Sequence, residues 1–523
     1  MKKNIILYSA FIIPIILTII IHIYGFPKAK AEIDNFKQYD DMVTFYNMNS
    51  LPVLGTKMWD AYTDYTPRMP GGFYYILYTF IYKITNENFF ISRIVFMFLC
   101  FLVLFVFLLW LYKRFGKYIT AVFTALLLCN AYLFFASIDI YNPNPMIYLS
   151  FILLILFCEY VSDGKYSYVS ALFMFPIIAL MAQCHFAVFF SIVPSLIVYH
   201  IIRFKTLTKK YIVPLLLSVF ISFLLYLPYL ISEINNGFSN TLSMISFRQG
   251  GKLVGLPQIY CMLIYPTTEM SIFYGRTNAI LYFWFKDNPF LVFMALMLLL
   301  TAAFSITAFI FSAKKVFTKN NQSFDVRDIM LRESMILYLI YIPTTLLVFF
   351  IAKSKPGTFH YIYNAFALSF VPILILTKYI EEGRFIKLKT FLPIFAIFIS
   401  IALSLHIVRT INLYAKQYSY DNHKALMQSI IDDSNGEEFD LDTIRTISTI
   451  KEMYKFASLM YGISDEWNMN EEAKLTYFIF NRDMYFFTGK WSDVKEGKNK
   501  PIPENAVKIW GDDILSVYRY IKD

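Results

Sequence analysis

Eleven apolar runs, each close to the length a bilayer demands, govern what this chain can fold into. A helix crossing about 30 Å of hydrocarbon needs about 20 mostly apolar residues, and runs near that length fall at 4–26, 89–112, 117–136, 143–161, 166–183, 185–202, 211–231, 289–312, 334–352, 359–379 and 390–411. Charged residues make up 16% of the 523 positions and hydrophobic ones 58%, where a soluble globule carries about 25% charge. The expectation is an all-α polytopic membrane protein of about 11 transmembrane helices. A shorter apolar piece, Gly72 to Tyr82, falls below spanning length and reads as a juxtamembrane helix inside the first connecting loop.

Charge then orients the runs. With the N-terminus inside, the inner connections hold Lys113, Arg114 and Lys117, then Lys165, then Arg203, Lys205, Lys209 and Lys210, then the basic cluster from Lys314 to Arg332, then Lys378, Arg384, Lys387 and Lys389. The connections at 137–142 and 184 carry no Lys or Arg, and the one at 353–358 carries two. This asymmetry follows the positive-inside rule at every turn. It also explains the net charge of +10 as helix-flanking lysine and arginine, which sets nucleic acid aside as a partner. The opening run exceeds the usual h-region of a signal peptide, so it reads as an uncleaved anchor.

That topology leaves residues 27–88 and 232–288 as the two large outer loops and places residues 412–523 outside as well. The final 112 residues hold 14 Lys and Arg against 19 Asp and Glu, and they contain strand-like runs at LTYFIF, VKIW and LSVYRYI. We expect residues 1–411 to form the membrane domain and 412–523 a small α/β extracytoplasmic domain. The five cysteines form no CxxC pair and no disulfide ladder; they read as core thiols.

The outer side collects the unusual polar residues. Asp40, Asp41 and Arg68 stand in the first loop, Asp139 and Asn142 in the turn SIDIYNPNP, His185 in MAQCHF, Glu233 after LPYLIS, and Lys353, Lys355 and His360 in KSKPGTFH. Each has an ordinary structural reading. Aspartate caps helices well, Asx-Pro sequences make turns on their own, a boundary arginine or lysine snorkels to headgroups, and a lone histidine at a helix end is commonly just hydrogen-bonded. Asp60 and Asp64, four residues apart, read as a solvated pair. GGK at 250–252 lacks the spacing of a phosphate-binding loop.

Taken in order, several motifs resemble the GT-C membrane glycosyltransferases, in particular the group of protein mannosyltransferases and lipid A aminoarabinose transferases. Asp40-Asp41 followed by MVTFYNMNSLPVLG resembles that family's acidic pair in the first outer loop. TPRMPGGFYYILY resembles its proline-rich entry to an amphipathic helix, with glycines where a second proline is often found, and Arg93 in FFISRIVF matches the arginine opening the next helix. YNPNP resembles a WNPN turn with Tyr in place of Trp, AQCHFA a QLHYSA turn, and LPYLISEINNGFSNT a later proline, glutamate and glycine pattern. These cover residues 1–245, and beyond about 250 only the general layout is shared.

The resemblance implies a GT-C bundle at the outer face of a bacterial cytoplasmic membrane, moving a sugar with inversion from a polyprenyl-phosphate donor to a cell-envelope glycan, lipid or protein. Such chemistry needs a carboxylate to take the acceptor's proton and cationic groups to stabilise the leaving phosphate. Asp40 is the first choice for the base, with Asp41 its partner or a metal ligand. Arg68 and Arg93 are the phosphate candidates, since guanidinium binds phosphate oxygens in pairs. Asp139, Asn142, His185 and Glu233 are the remaining substrate-binding candidates. A divalent cation, Mg or Mn, would fall to Asp41 and Asp139. Two rival classes are a flippase for a lipid-linked saccharide, which calls for ionisable groups near mid-membrane, and an O-antigen ligase or polymerase, whose chemistry would sit in the loop 232–288. A third is a membrane scaffold acting through residues 412–523.

Overall fold

A computed structural model of the chain describes residues 2–28, 52–57, 67–138, 141–246, 290–317, 325–351, 359–383, 385–418, 420–443, 454, 457–458, 460–481, 503–512 and 515–522. Among these, eight helices are long and apolar enough to cross a membrane: Ile5–Gly25, Phe89–Phe115, Asn144–Val161, Ser167–Cys184, Thr208–Asn235, Val292–Phe317, Val326–Ile351 and Lys387–Arg409. The chain is a polytopic helical membrane protein.

The helix Phe89–Phe115 illustrates how the sequence makes such a span. Asn88 caps it, its side chain accepting the Ile91 N–H at 3.0 Å, and Gly116 at φ 84° ends it. Its buried residues Phe89, Arg93, Phe96, Cys100, Leu104, Phe107, Leu111 and Phe115 recur every three or four positions and form one stripe. Phe98, Leu102, Phe105 and Tyr112 stay exposed on the other face. In water such a face would be a liability; against lipid it is the solvated surface.

Three expected spans are built differently. The run at 117–136 breaks into helices Lys117–Leu128 and Ala131–Ile138, bent by 57°. Asn130 is the cause: its side-chain oxygen accepts the backbone N–H groups of Tyr132 at 2.9 Å and Leu133 at 3.3 Å, opening a new helix as an N-cap does. The run at 185–202 begins as a 3₁₀ turn, Phe186–Phe190, before the helix Ile192–Ile202. The run at 359–379 is 3₁₀ over Phe359–Ala365 and Ala367–Phe370 before the helix Val371–Glu381. Pro194 and Pro372, near the starts of these helices, have no N–H to continue the hydrogen-bonding ladder backward. The expected juxtamembrane helix is present as Phe73–Ile84, burying Tyr74, Tyr75, Tyr78, Ile81 and Tyr82.

Ion pairs gather the ends of the basic connections at one end of the bundle, here called the lower end. Glu159 accepts from Trp110 and Arg114, Arg203 pairs with Glu333 at 2.8 Å, and buried Lys378 pairs with Asp328 and Glu382. The opposite, upper end carries Phe26, Arg93, Ile138 and Cys184. Strands β1 (Leu54–Lys57) and β2 (Arg68–Pro70) pair antiparallel there.

The C-terminal residues form a four-stranded sheet in the order β3-β4-β6-β5, from Phe439–Thr443 (β3), Leu475–Asn481 (β4), Val507–Gly511 (β5) and Leu515–Ile521 (β6). β3 and β4 run parallel, whereas β4–β6 and β5–β6 are antiparallel. The helix Tyr420–Ser434 is tied to the sheet through Asp433, which accepts from the Tyr477 hydroxyl at 2.8 Å and pairs with Arg519 at 3.1 Å. The three strand-like runs of the sequence are strands; β3 was not anticipated. The last membrane helix continues to Tyr418, six residues beyond the start assigned to the C-terminal domain.

Candidate functional site

The upper end brings together segments far apart in the chain. Asp40, Asp41 and Asp139 lie outside the described residues, as do Asp60, Asp64, Lys353 and Lys355. The candidates that are described are Arg68, Arg93, Asn142, His185 and Glu233.

Arg68 opens β2, where the first loop returns to the bundle. Its Nη1 donates to the Gly55 carbonyl at 3.2 Å across the hairpin. Its backbone is held by Asn240: the Arg68 N–H donates to Asn240 Oδ1 at 2.7 Å, and Asn240 Nδ2 donates to the Arg68 carbonyl at 2.9 Å. Asn240 Nδ2 also lies 3.2 Å from the Tyr229 hydroxyl. Glu233, 3% exposed, accepts the Thr241 N–H at 2.7 Å. It therefore sits at the first turn of the helix Ser239–Ser246, where unpaired amides and the helix dipole favour a carboxylate.

Asn142 is buried, and its Nδ2 donates to the Cys184 carbonyl at 2.6 Å and reaches Met69 Sδ at 3.6 Å. The YNPNP turn thus contacts both the end of the helix Ser167–Cys184 and strand β2. Next to Cys184, Gln183 Oε1 accepts the Phe73 N–H at 3.0 Å, capping the juxtamembrane helix from another part of the fold, and its Nε2 donates to the Leu225 carbonyl at 3.1 Å.

His185 follows in extended conformation, and its Nδ1 accepts the Ala187 N–H at 3.2 Å. That bond fixes the lone pair on Nδ1 and puts the ring proton on Nε2 in the neutral form. The ring meets His360 at 4.8 Å and Tyr361 at 4.9 Å edge-on, and His360 in turn meets Tyr141 at 5.5 Å. The turns at 141 and 185 and the 3₁₀ segment at 359–365 therefore share one aromatic cluster.

Arg93 is 3% exposed. Its Nε donates to the Ile138 carbonyl at 3.0 Å and its Nη2 to the same oxygen, while its guanidinium lies 4.8 Å from the Phe26 ring and 5.8 Å from Phe89. A cation on the last carbonyl of the helix Ala131–Ile138 satisfies an otherwise unpaired acceptor and the negative end of the helix dipole. It fixes the C-terminal end of that helix at the upper end of the bundle.

Sequence reasoning had no reason to single out Asn240 or Tyr229, and it passed over Gln183 as a neighbour of His185. The only signal for Asn240 was its place in the quoted LPYLISEINNGFSNT pattern. Among the described residues, no group of three or more His, Cys, Asp or Glu side chains is placed to hold a metal ion. The two aspartates considered as ligands, Asp41 and Asp139, lie outside those residues.

No protein-family model matches the chain, and no curated protein matches it. Solved structures do resemble it. ArnT from Cupriavidus metallidurans in the apo state is similar at a TM-score of 0.48 and 10% identity over 97% of each chain. The same protein bound to undecaprenyl phosphate gives 0.49 and 10%, again over 97% of each chain. An oligosaccharyltransferase from Archaeoglobus fulgidus, in complex with Zn and sulfate, gives 0.48 and 13% over 90% of this chain and 68% of its own.

Proposed function

We propose that this chain is an inverting GT-C glycosyltransferase that moves a sugar from a polyprenyl-phosphate donor to a cell-envelope acceptor at the outer face of a bacterial cytoplasmic membrane. The observation that carries this reading is convergence. The return segment of the first loop, the Asn142 turn, the Gln183–His185 turn and the Glu233–Thr241 segment meet at one end of the bundle. These are the segments whose motifs, in the same order, resemble the GT-C family.

In this reading Asp40 takes the proton from the acceptor hydroxyl or amine as that atom attacks the anomeric carbon. The bond from that carbon to the phosphate oxygen breaks on the opposite face, and the polyprenyl phosphate leaves with the bonding pair. Asp41 lies beside the base and raises its proton affinity, since like charges at close range disfavour double ionisation. Arg68, anchored through its backbone, presents its side chain to the leaving phosphate. Arg93 acts at one remove by fixing the end of the helix Ala131–Ile138. Where a divalent cation takes part, Asp41 and Asp139 would supply its oxygen ligands, with Mg or Mn as the ion.

The placement of buried charge favours this reading over transport. Among the described residues, Arg93 and Glu233 lie at the upper end, and Glu159 and Lys378 pair with partners at the lower end. A flippase calls for ionisable groups near mid-membrane.

The test is transfer from a panel of radiolabelled polyprenyl-phosphate monosaccharides in membranes holding wild type, Asp40→Asn or Asp41→Asn at matched expression. Loss of transfer in one variant with donor binding retained identifies the base. Full transfer in both refutes the assignment and moves attention to residues 232–288, as the ligase reading requires.

A further inference from the structure

We propose that Asn240 and Gln183, with Asn142, form a carboxamide clamp that holds residues 68–73 against the bundle, and that Asn240 and Gln183 are positioning residues for the transfer reaction. The proposal rests on the reading that the first loop carries the catalytic aspartates. It goes beyond that reading by naming what holds the loop in register with the rest of the site.

Three primary amides from three separate elements converge on six consecutive residues. Asn240 takes both backbone groups of Arg68, at 2.7 Å and 2.9 Å. Asn142 reaches Met69 at 3.6 Å while donating to Cys184 at 2.6 Å. Gln183 accepts from Phe73 at 3.0 Å while donating to Leu225 at 3.1 Å. A carboxamide presents a donor and an acceptor in one plane, as a peptide group does. Asn240 therefore acts toward Arg68 as a neighbouring strand would, while β1 pairs with the same short strand. The amide also carries no charge, so placing it at the membrane boundary avoids the desolvation penalty of an ion.

The glycines of the segment give an independent sign that this contact is closely fitted. Gly71 has φ +92°, and a Cβ there would lie 2.5 Å from the Gln183 side chain. A Cβ on Gly72 would lie 1.7 Å from the Pro52 carbonyl oxygen. The Gly71 backbone lies close against Gln183 of the clamp and the Gly72 backbone against Pro52 of its own loop, and neither position has room for a methyl group.

A second consequence concerns the long loop. Asn240 stands on the helix Ser239–Ser246, whose first turn is capped by Glu233, and this helix leads into residues 247–289. One side chain thus joins the first loop to the start of the long loop.

Two measurements on the full-length protein test the clamp. Hydrogen exchange followed by mass spectrometry on peptides covering 67–73 reads it directly: Asn240→Ala is expected to speed exchange at the Arg68 amide by at least about tenfold. Transfer kinetics read its role. Misplacement of a reacting group by about 1 Å costs on the order of 100-fold, so kcat is expected to fall about 10- to 100-fold in Asn240→Ala and Gln183→Ala, with donor binding within about threefold of wild type.

Asn240→Asp separates positioning from mere support. Protonated, the new carboxyl donates to the Arg68 carbonyl and accepts its N–H as the amide does; ionised, it cannot donate. Its activity relative to wild type is expected to rise as pH falls toward about 4, the ordinary carboxyl range, whereas Asn240→Ala shows no such recovery. Unchanged exchange in Asn240→Ala overturns the clamp. Altered exchange with unchanged kcat, or no recovery in Asn240→Asp, overturns the positioning role. Full activity in Asp40→Asn and Asp41→Asn would instead defeat the proposed function, and the exchange result would still decide the clamp.

Discussion

Replacing Gly72 by alanine isolates the steric fit of the first loop from every other effect. Gly72 has φ −107° and ψ 10°, which an L-residue adopts without strain, so the backbone conformation adds no penalty. The whole effect comes from the added methyl group, whose carbon would lie 1.7 Å from the Pro52 oxygen and 2.5 Å from its carbonyl carbon. Both are backbone atoms, and the segment cannot simply step aside, because the adjacent Gly71 N–H is bonded to the Val53 carbonyl at 3.1 Å. Overpacking costs about 1–3 kcal/mol, and loss of that hydrogen bond adds about 0.5–1.5 kcal/mol. The expected destabilisation is therefore about 1.5–4.5 kcal/mol. Gly164→Ala is the control: its φ is not in the left-handed range, and its Cβ would lie 3.2 Å from the Ser162 hydroxyl, a contact relieved by a shift of a few tenths of an ångström. Gly to Ala at a compatible site is neutral or stabilising by about 0.4–1 kcal/mol. Thermal unfolding in detergent, followed by loss of the monodisperse chromatographic peak, should place Gly72→Ala clearly below wild type and Gly164→Ala at or above it. Equal midpoints for the two variants would refute the close approach on which the site's geometry depends.

Three further outcomes are expected. Arg114→Met leaves the buried Glu159 carboxylate with only the Trp110 N–H at 2.7 Å and should destabilise by about 3–5 kcal/mol, much of which the double variant with Glu159→Met should recover; a double-mutant cycle on thermal unfolding checks this. Asn130→Leu removes the cap that starts the helix Ala131–Ile138 and should cost about 0.5–2 kcal/mol, measured the same way, with additive behaviour toward Arg114→Met. Partial desolvation at the start of the helix Tyr420–Ser434, where the residue keeps an exposed face, holds the Asp421 carboxyl above its ordinary value near 3.8, against the opposing pull of Lys424, Lys28 and Arg93. A folded value above the unfolded one means stability falls as pH rises through this window, so Asp421→Asn should melt higher than wild type at neutral pH and coincide with it below the ordinary carboxyl value; a neutral-pH midpoint at or below wild type would contradict that sign.

Much of the membrane architecture was legible because hydrophobicity and charge are local properties. A stretch of about 20 apolar residues has few options in a bilayer, and lysine and arginine at its flanks mark which ends lie together. The strands at 475–481, 507–511 and 515–521 were likewise readable from aromatic and β-branched runs. Single residues limited this reading. Asn130, one polar side chain inside an apolar run, is lost in a window average, yet its short side chain bonds two backbone amides and bends the span by 57°. Two other runs likewise open as 3₁₀ turns before their helices, near Pro194 and Pro372.

The site divides along the same line. The sequence alone marked the polar residues of the upper end and, through the order of its motifs, the chemistry they suit. It could not assign work to each. Arg93, marked for phosphate, is bonded to the Ile138 carbonyl, and Glu233, marked as a second acidic site, caps the helix that carries Asn240. Only the tertiary structure decided that Asn240 grips Arg68 across 172 positions of chain, or that Gln183 caps a helix 110 residues before it. Run length, charge asymmetry and turn chemistry act between near neighbours and can be read from the residues in order. A carboxamide can bond any peptide group, and which one it meets is set only when the packed helices bring the loops together.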